Sequence, residues 1–424
     1  MLGKDYILTG MENILKQVDA EQAEIVYTFK DHQLTRFANN AIHQNVAERD
    51  VSLTIKIVNG KKVSSTSLNS IEPEVVKRAI KRLSEMTRFQ PDDPDFESLP
   101  PPESYTEVAT FDQETAECSP EKRAEFVKII TDKAEKFQVN ASGQCSTSTT
   151  ELAIINSLGI RAYNVSTEAN LLTMAIEKME GFSNLLSRKI SNIDPFIVAE
   201  ESVSKCVNSR NPVELKPGTY TIILEPHGVA QLIEFLCLQN FNAKDYLDES
   251  SCITGKLGHK ITGENISIYN DPFELDGLPA PFDMEGLPKK KVTLIKNGIA
   301  NDLTHNSYTA NIMKTVSNGN QIGPTYKVPY PLNLTMEAGS NSLEKMIASI
   351  ENGIYITRLN YVNVVDPINT IHTGLTRGGT FMIENGKITK PVYNLRFTES
   401  FLKALNEVSM ISNYQRLGGE FYAP

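Results

Sequence analysis

The stretch VSLTIKIVNG at residues 51–60 decides the fold class, because apolar and polar residues alternate along it and a turn dipeptide ends it. Its apolar side chains recur at every second position: Val51, Leu53, Ile55 and Ile57. That period is typical of a strand with one buried face. Asn59-Gly60 favours a type I′ turn, in which both central residues take a positive φ. The stretch therefore predicts a hairpin, and hence an antiparallel sheet.

A helix pattern and then an extended connector follow this hairpin. Asn69 or Ser70 is the predicted cap of the helix, and Pro73 lies in its first turn. The apolar face of the helix consists of Val76, Ala79, Ile80 and Leu83. Prolines among acidic residues then break the pattern from residue 90 to 121, which predicts a connector without a packed element of its own.

The rest of the chain predicts further strands with a few helices. Helix patterns at residues 120–137 and 195–206 flank an antiparallel meander at residues 145–179. The second half contains two more Asn-Gly hairpin signals, at residues 297–298 and 385–386. A chain of 424 residues exceeds the usual size of one hydrophobic core. We predict an α+β fold of mostly antiparallel sheets with flanking helices, in two domains at residues 1–212 and 213–424.

Composition excludes several classes of function. The formal net charge of -10, with no basic run longer than Lys289 to Lys291, argues against a nucleic-acid partner. The five cysteines are far apart and lack CxxC spacing, so they predict neither a disulfide framework nor a thiolate metal site. No apolar run is long enough to span a membrane, and the first residues do not resemble a signal peptide. We expect a cytoplasmic protein with no membrane partner.

His227, in LEPHGVAQLIEFL at residues 224–236, is the first candidate for chemistry. A zinc-binding helix needs a second histidine about one turn later and a glutamate as general base. Here the neighbour is Gly228 and the next turn offers Gln231, so a histidine at the surface or at the helix cap is the simpler interpretation.

The other candidates do not cluster in the sequence. His259, His305 and His372 lie far from one another. Asp283 and Glu285 flank a methionine just before a strand pattern, and two residues at that spacing on a strand share a face. An acidic loop ended by glycine and proline is the simpler interpretation of the same residues.

Four blocks of the sequence, in this order, resemble the TldD/PmbA family: NSLGI at 156–160, DMEGLPKKKVTLIKNGIANDLTHNSYTA from residue 283, NLTMEAGSNSLEKMIASIENGIYI at 333–356 and TGLTRGGTFMIENGKITKPV at 373–392. In that family the TldD branch carries an HExxxH helix and a later cysteine that hold a catalytic metal. The PmbA branch, also called TldE, lacks these ligands. It partners TldD in a cytoplasmic metalloprotease that acts on unfolded peptides.

The resemblance places this chain on the PmbA/TldE branch. Matching HExxxH from His227 puts Gly228 at the glutamate and Leu232 at the second histidine, and no cysteine follows Cys252. One ligand of three cannot activate water as a zinc peptidase does. The resemblance thus implies a subunit with no catalytic residue and no metal or cofactor of its own, in which His227 is a relic. It also implies a TldD-like protease subunit that holds the zinc, and extended peptides as substrates.

Two alternatives stay open at this point. The chain could be a metallopeptidase by itself, through ligands drawn from His227, His259, His305, His372 and Glu285. It could also be a regulatory binding protein without proteolysis. For the favoured hypothesis, Asp283, Glu285 and His305 are predicted to line the peptide cavity, an antiparallel sheet edge is predicted to add the peptide as a strand, and a homodimer is the expected state of the subunit alone.

Overall fold

The computed structural model describes all 424 residues, and its first half is built on one long antiparallel sheet. The strands are β1 (Gln22–Ala38), β2 (Ala41–Asn59), β3 (Lys62–Leu68), β4 (Asn140–Asn156), β5 (Arg161–Ile176) and β6 (Glu180–Ser187). Their order across the sheet is β3-β2-β1-β4-β5-β6. The predicted meander corresponds to β4, β5 and β6, with a turn at residues 177–179 that the sequence analysis did not separate.

Helices cover one face of this sheet. They are α1 (Lys4–Leu15), α2 (Pro73–Thr87), α3 (Gln113–Ala116), α4 (Pro120–Lys136) and α5 (Pro195–Asn208). The predicted alternation holds, since Leu53, Ile55 and Ile57 are fully buried beneath α1 and α2. The predicted cap of α2 is wrong: the helix begins at Pro73, and Glu72 precedes it without a side-chain hydrogen bond.

The Asn-Gly signals give hairpins, but the first of them turns one residue later than predicted. Asn59 still pairs with Lys62, so the turn consists of Gly60 and Lys61, and only Gly60 has a positive φ. A glycine at the first central position fits a type II′ turn. Asn297 and Gly298 both have positive φ, as a type I′ turn requires.

The second half of the chain contains two further sheets. Its strands are β7 (Thr221–Leu224), β8 (Ile268–Asn270), β9 (Val292–Lys296), β10 (Ile299–Ala300), β11 (Leu334–Met336), β12 (Asn352–Asp366), β13 (Ile371–Glu384), β14 (Lys387–Pro391), β15 (Arg396–Ser400), β16 (Arg416–Gly418) and β17 (Phe421–Ala423). One sheet has the order β10-β9-β8-β11-β17-β16, and the other has the order β14-β13-β12-β7, with β15 paired to β13. Only the pairs β12–β7 and β11–β17 are parallel.

One helix, α6 (Pro226–Asn240), lies between these two sheets and fills the core of the second half. Its buried residues Ile233, Leu236 and Cys237 pack against strands of both. The remaining helices are short: α7 (Ala243–Leu247), α8 (Ser307–Met313), α9 (Leu343–Ala348) and α10 (Phe401–Asn406). The fold is therefore α+β with mostly antiparallel sheets, as predicted.

Two further sequence predictions concern the segment between α2 and α4 and the boundary between the domains. Apart from α3, residues 90–119 form no regular element, in agreement with a connector. The predicted boundary at residue 212 falls between α5 and β7, and the division into two domains there stays a prediction. No helix has both the length and the apolar character that crossing a membrane requires.

The other face of the long sheet meets the second half of the chain. At one end of this face Val26 and Ile154 pack against Phe282 and Leu287. At the other end Phe182 and Met174 face Arg358 of β12. The first turn of α6 and strand β16 also lie near Phe182, so parts of α6, β12 and β16 converge there. This second contact, which we call the junction, contains His227.

Candidate functional site

His227 lies in the first turn of α6 and is buried. Pro226 starts the helix, because a proline at this position costs no helical hydrogen bond, and Glu225 is its N-cap residue. Only 5% of His227 is exposed. The expectation of a surface or capping histidine is therefore wrong. Gly418 of β16 explains why the ring is enclosed: a Cβ atom there would lie 2.8 Å from the Cα of His227, so only glycine lets β16 approach this closely.

A guanidinium group contacts the ring nitrogen of His227 that a metal would need. Nη2 of Arg416 lies 3.1 Å from Nε2 of His227. A guanidinium can only donate, so Nε2 accepts and the ring proton of a neutral imidazole belongs on Nδ1. The same Arg416 donates to both carboxylate oxygens of Glu201, at 2.9 and 3.1 Å, and to the carbonyl oxygen of Asn184 at 3.0 Å.

These contacts set the charge states of His227, Glu201 and Arg416. Burial, and then the positive charges of Arg416, Lys205 and Arg358, lower the pKa of His227 well below its ordinary value. Although burial alone would raise the pKa of Glu201, the Arg416 guanidinium keeps it below the ordinary value of a glutamate. The site therefore holds a neutral imidazole beside a charged arginine–carboxylate pair.

Two more ion pairs complete the junction. Lys205 of α5 lies 2.7 Å from Glu225, whose second oxygen accepts a hydrogen bond from Thr357. Arg377 of β13 contacts Glu180 of β6 through two nitrogens, at 2.5 and 3.1 Å. Each pair joins the N-terminal half to the second half, so the junction fixes the two halves against each other by charge.

Phe182 of β6 forms the apolar part of the junction. The ring of His227 meets it edge-on, with 5.1 Å between centroids. The guanidinium of Arg358 lies over the same ring, 4.3 Å from its centroid. An arginine over an aromatic face is a favourable contact, but it does not neutralise the charge.

The junction does not fit a catalytic metal. Zinc requires lone pairs from several nitrogen, oxygen or sulfur ligands, and a catalytic site holds three of them from the protein. Here Nε2 of His227 already accepts from Arg416, Gly228 contributes no side chain, and Leu232 packs in the apolar core. A cation placed at Nε2 would also meet the positive charge of Arg416. We therefore derive no reaction step through a metal at this site.

The remaining histidines and the cysteines form no metal-binding cluster. His372 stacks on Phe401 and shares a hydrogen bond with the carbonyl of Thr370. His259 is exposed. All five cysteines are free and buried. No three His, Cys, Asp or Glu side chains are arranged to hold a metal ion.

Asp283 and Glu285 come together in a buried loop, where protein groups satisfy their oxygens, whereas His305 is also buried but contacts Asn318 and Thr309. Asp283 accepts hydrogen bonds from the backbone N–H groups of Glu285, Leu287 and Gln321, at 2.9, 3.1 and 2.9 Å. Glu285 accepts from the backbone and the hydroxyl of Ser307, at the start of α8. The two carboxylates thus hold the loop to α8, while their contact with a peptide stays a prediction.

The loop of Asp283 and Glu285 is also electrostatically coupled to the long sheet. Burial, and then the nearby Glu285, raise the pKa of Asp283 to about 7, against the effect of its backbone hydrogen bonds. Burial lowers the pKa of Lys289 to about 8, and its ammonium donates to the side chain of Asn333 at 2.7 Å. On the sheet, burial opposes the charge of Lys56, but the fully buried Glu24, at 2.8 Å, and the loop carboxylates Glu285 and Asp283 together raise its pKa.

The buried, neutral His227 predicts a measurable dependence of stability on pH. The unfolded chain takes up the imidazole proton near its ordinary pKa of about 6.5, whereas the folded chain does so only at lower pH. The unfolded state therefore binds more protons below pH 6.5, and this residue makes the free energy of unfolding fall as the pH falls. The slope approaches about 1.4 kcal/mol per pH unit.

The measurement is urea denaturation at pH 7, 6 and 5 for the unmodified chain and for His227→Gln. We expect the substitution to remove this part of the pH dependence, whatever its effect at pH 7. The raised pKa of Asp283 acts in the opposite direction and is common to both proteins. Equal slopes for the two proteins would contradict a buried neutral histidine.

Comparison with known proteins agrees with this fold and shows the family. The sequence model of the PmbA/TldA metallopeptidase C-terminal domain matches residues 217–424, and that of PmbA/TldA metallopeptidase domain 1 matches residues 23–87. Together they match well over half of the chain. The solved structure of TldE from Thermococcus kodakarensis superposes with a TM-score of 0.89 at 25% identity, and the alignment covers 98% of this chain and 97% of that one.

Relatives of the two branches match over different lengths. The metalloprotease PmbA of Escherichia coli O157:H7 is 22% identical over 86% of this chain and 81% of its own length. The TldD homologue of Haemophilus influenzae is 26% identical, but over only 53% of this chain and 47% of its own. The chain thus spans about half the length of that TldD relative, and nearly all of the TldE structure.

The fold and the family models together define a metallopeptidase-like protein. The chain belongs to the TldD/PmbA family, on its PmbA/TldE branch.

Sequence reasoning found His227 but missed the groups that hold it. Arg416 is 189 residues away along the chain and sits in no recognisable motif. Glu201 lies in a stretch predicted as an ordinary helix, and Glu180 follows directly after the end of the predicted meander. The sequence does carry one signal, RGG at residues 377–379: Gly378 and Gly379 both have positive φ, and a Cβ atom on Gly378 would lie 2.6 Å from the Cβ of Phe182.

Proposed function

We propose that this chain is the non-catalytic subunit of a TldD-type metalloprotease that processes or degrades unfolded peptides. A TldD-like partner supplies the zinc and the general base, and this chain supplies surface for the complex and for the peptide. The observation that carries the proposal is the contact between Arg416 and Nε2 of His227. This contact supports the proposal because it puts a fixed positive charge beside the histidine that the resemblance matches to the first metal ligand.

A free strand edge beside the junction suits an extended peptide. β7 pairs with β12 only as far as Ile356, and no other strand takes its place along residues 360–366. Apolar side chains on this part of β12 are exposed, namely Tyr361, Val364 and Val365. A peptide could add here as a strand, with main-chain hydrogen bonds that do not depend on its sequence.

The alternative of an independent metallopeptidase finds no support in the geometry. It needs three ligands within about 2.0 to 2.2 Å of one zinc ion. The ring of His372 stacks on Phe401 and shares a hydrogen bond with the carbonyl of Thr370. His259 is exposed, and Glu285 accepts a hydrogen bond from the backbone of Ser307. A regulatory binding protein without proteolysis is distinguished from our proposal by the following assay.

The test is reconstitution with the TldD-like protein of the same genome. We expect the mixture to cleave an unstructured peptide at least tenfold faster than the TldD-like protein alone, and we expect no cleavage by this chain alone. The matched control is this chain after heat unfolding, which should not raise the rate. A partner that is equally active without this chain, or cleavage by this chain alone, would contradict the proposal.

A further inference from the structure

The charged groups of the junction do not balance. Its cations are Lys205, Arg358, Arg377 and Arg416, and its carboxylates are Glu180, Glu201 and Glu225. Three of the cations each contact one carboxylate at 3.1 Å or less. Arg358 alone forms no ion pair, so the junction carries one unmatched positive charge.

Arg358 is held in place by groups that cannot neutralise it. Its guanidinium lies over the ring of Phe182, and Nη2 lies 3.7 Å from the sulfur of Met174. Its Nε atom is buried and has no acceptor. Burial lowers the pKa of this arginine from its ordinary value, because the charged guanidinium has lost hydration that its neighbours replace only in part. Charged side chains are rarely buried without a partner.

A second unpaired donor lies next to it on the same strand. Asn360 is two residues further along β12, and its Nδ2 group is buried without an acceptor. Leu359, between them, packs in the core of the second half, and its backbone N–H donates a hydrogen bond to the side-chain oxygen of Gln231. Because successive side chains on a strand alternate between faces, Arg358 and Asn360 project together away from that core. These two buried donor groups, neither of which has an acceptor in the protein, could both hydrogen-bond to an anion.

We propose that Arg358 and Asn360 form a binding site for a carboxylate, namely the C-terminal carboxylate of a peptide lying along β12. The inference rests on the proposed function, since it assumes that the free edge at residues 360–366 receives the peptide. A guanidinium binds a carboxylate through two parallel hydrogen bonds, and the apolar surface of Phe182 and Met174 strengthens them by excluding water. The subunit would then recognise peptide ends whatever their sequence.

The experiment compares one unstructured ten-residue peptide in two forms, with a free C-terminal carboxylate and with a C-terminal amide. Both carry a fluorophore at the N-terminus, and binding to the full chain is measured by fluorescence anisotropy. We expect the unmodified chain to bind the free acid about tenfold more tightly, which corresponds to about 1.4 kcal/mol. Arg358→Gln should lose this preference and keep its affinity for the amide, while Arg358→Lys should keep part of it.

The matched control is Arg396→Gln, which removes an exposed arginine on β15 and should leave the preference unchanged. Thermal unfolding of each variant shows that it is folded. Equal binding of acid and amide by the unmodified chain would overturn the carboxylate site and leave peptide capture intact. If inorganic phosphate displaced the acid and the amide equally, the carboxylate site would also be overturned and peptide capture left intact. Binding of neither form would contradict peptide capture by this subunit, and the site with it.

Discussion

Arg416→Ala is expected to lower the free energy of unfolding by about 3 kcal/mol, since removing one member of a buried ion pair leaves the other charge without compensation. The arginine side chain is only 11% exposed, and Glu201 is 29% exposed. Without the guanidinium, Glu201, the Asn184 carbonyl and Nε2 of His227 all lose the same donor. Urea denaturation followed by circular dichroism measures the change.

The control for this substitution is an ion pair at the surface. Lys260 and Glu264 are 2.8 Å apart, but both side chains are more than half exposed. Lys260→Ala should therefore change the stability by less than about 1 kcal/mol. Arg416→Lys keeps the charge and loses the two-point contact, so its effect should lie between those of the other two. A loss below 1 kcal/mol for Arg416→Ala would show that the junction is not held by this residue.

Gly181→Ala is expected to destabilise the chain by about 3 kcal/mol, or to prevent folding, because α5 packs directly on the backbone of β6. A Cβ atom on Gly181 would lie 2.0 Å from the carbonyl oxygen of Ser202 and 2.4 Å from the amide nitrogen of Cys206. Both are backbone atoms, which cannot move without moving the helix. Since α5 carries Glu201 and Lys205, its displacement would also open the junction.

A second glycine gives the matched control. Gly10 is exposed within α1, and a Cβ atom there would contact nothing within 4 Å. Gly10→Ala should stabilise the chain by about 0.5 to 1 kcal/mol, because alanine is the better helix former. The two variants are compared by thermal and urea unfolding under the same conditions. Similar behaviour of both would contradict the close approach of α5 to β6.

Local sequence patterns predict the helices and strands of this fold, but they carry little information on how these elements contact one another. The alternation at Val51 to Ile57 and the Asn-Gly dipeptides depend on neighbouring residues only, so the sequence shows them directly. The Asn-Gly signal predicts a turn at Asn59-Gly60, one residue too early, because strand pairing extends to Asn59 itself. The pairing of β7 with β12, between residues more than 120 apart, has no local signal.

The candidate site could be predicted only where the sequence carried a motif. Gly228 and Leu232 are adjacent to His227 in the chain, so their mismatch with HExxxH was visible from the start. Arg416, Glu201 and Arg358 are brought to His227 and Phe182 by three separate elements. Asp283 and Glu285 were recognised as notable carboxylates, yet their hydrogen bonds to the backbone of their own loop and to Ser307 depend on a fold that the sequence pattern does not specify.

The zinc content of the purified chain tests the central claim most directly. The protein is equilibrated with a small excess of zinc, passed through a desalting column and analysed by mass spectrometry for metal per chain. Because Arg416 contacts Nε2 of His227 and no ligand group surrounds it, we predict much less than one zinc per chain. One zinc per chain that His227→Ala abolishes, together with cleavage of peptides by this chain alone, would contradict the account.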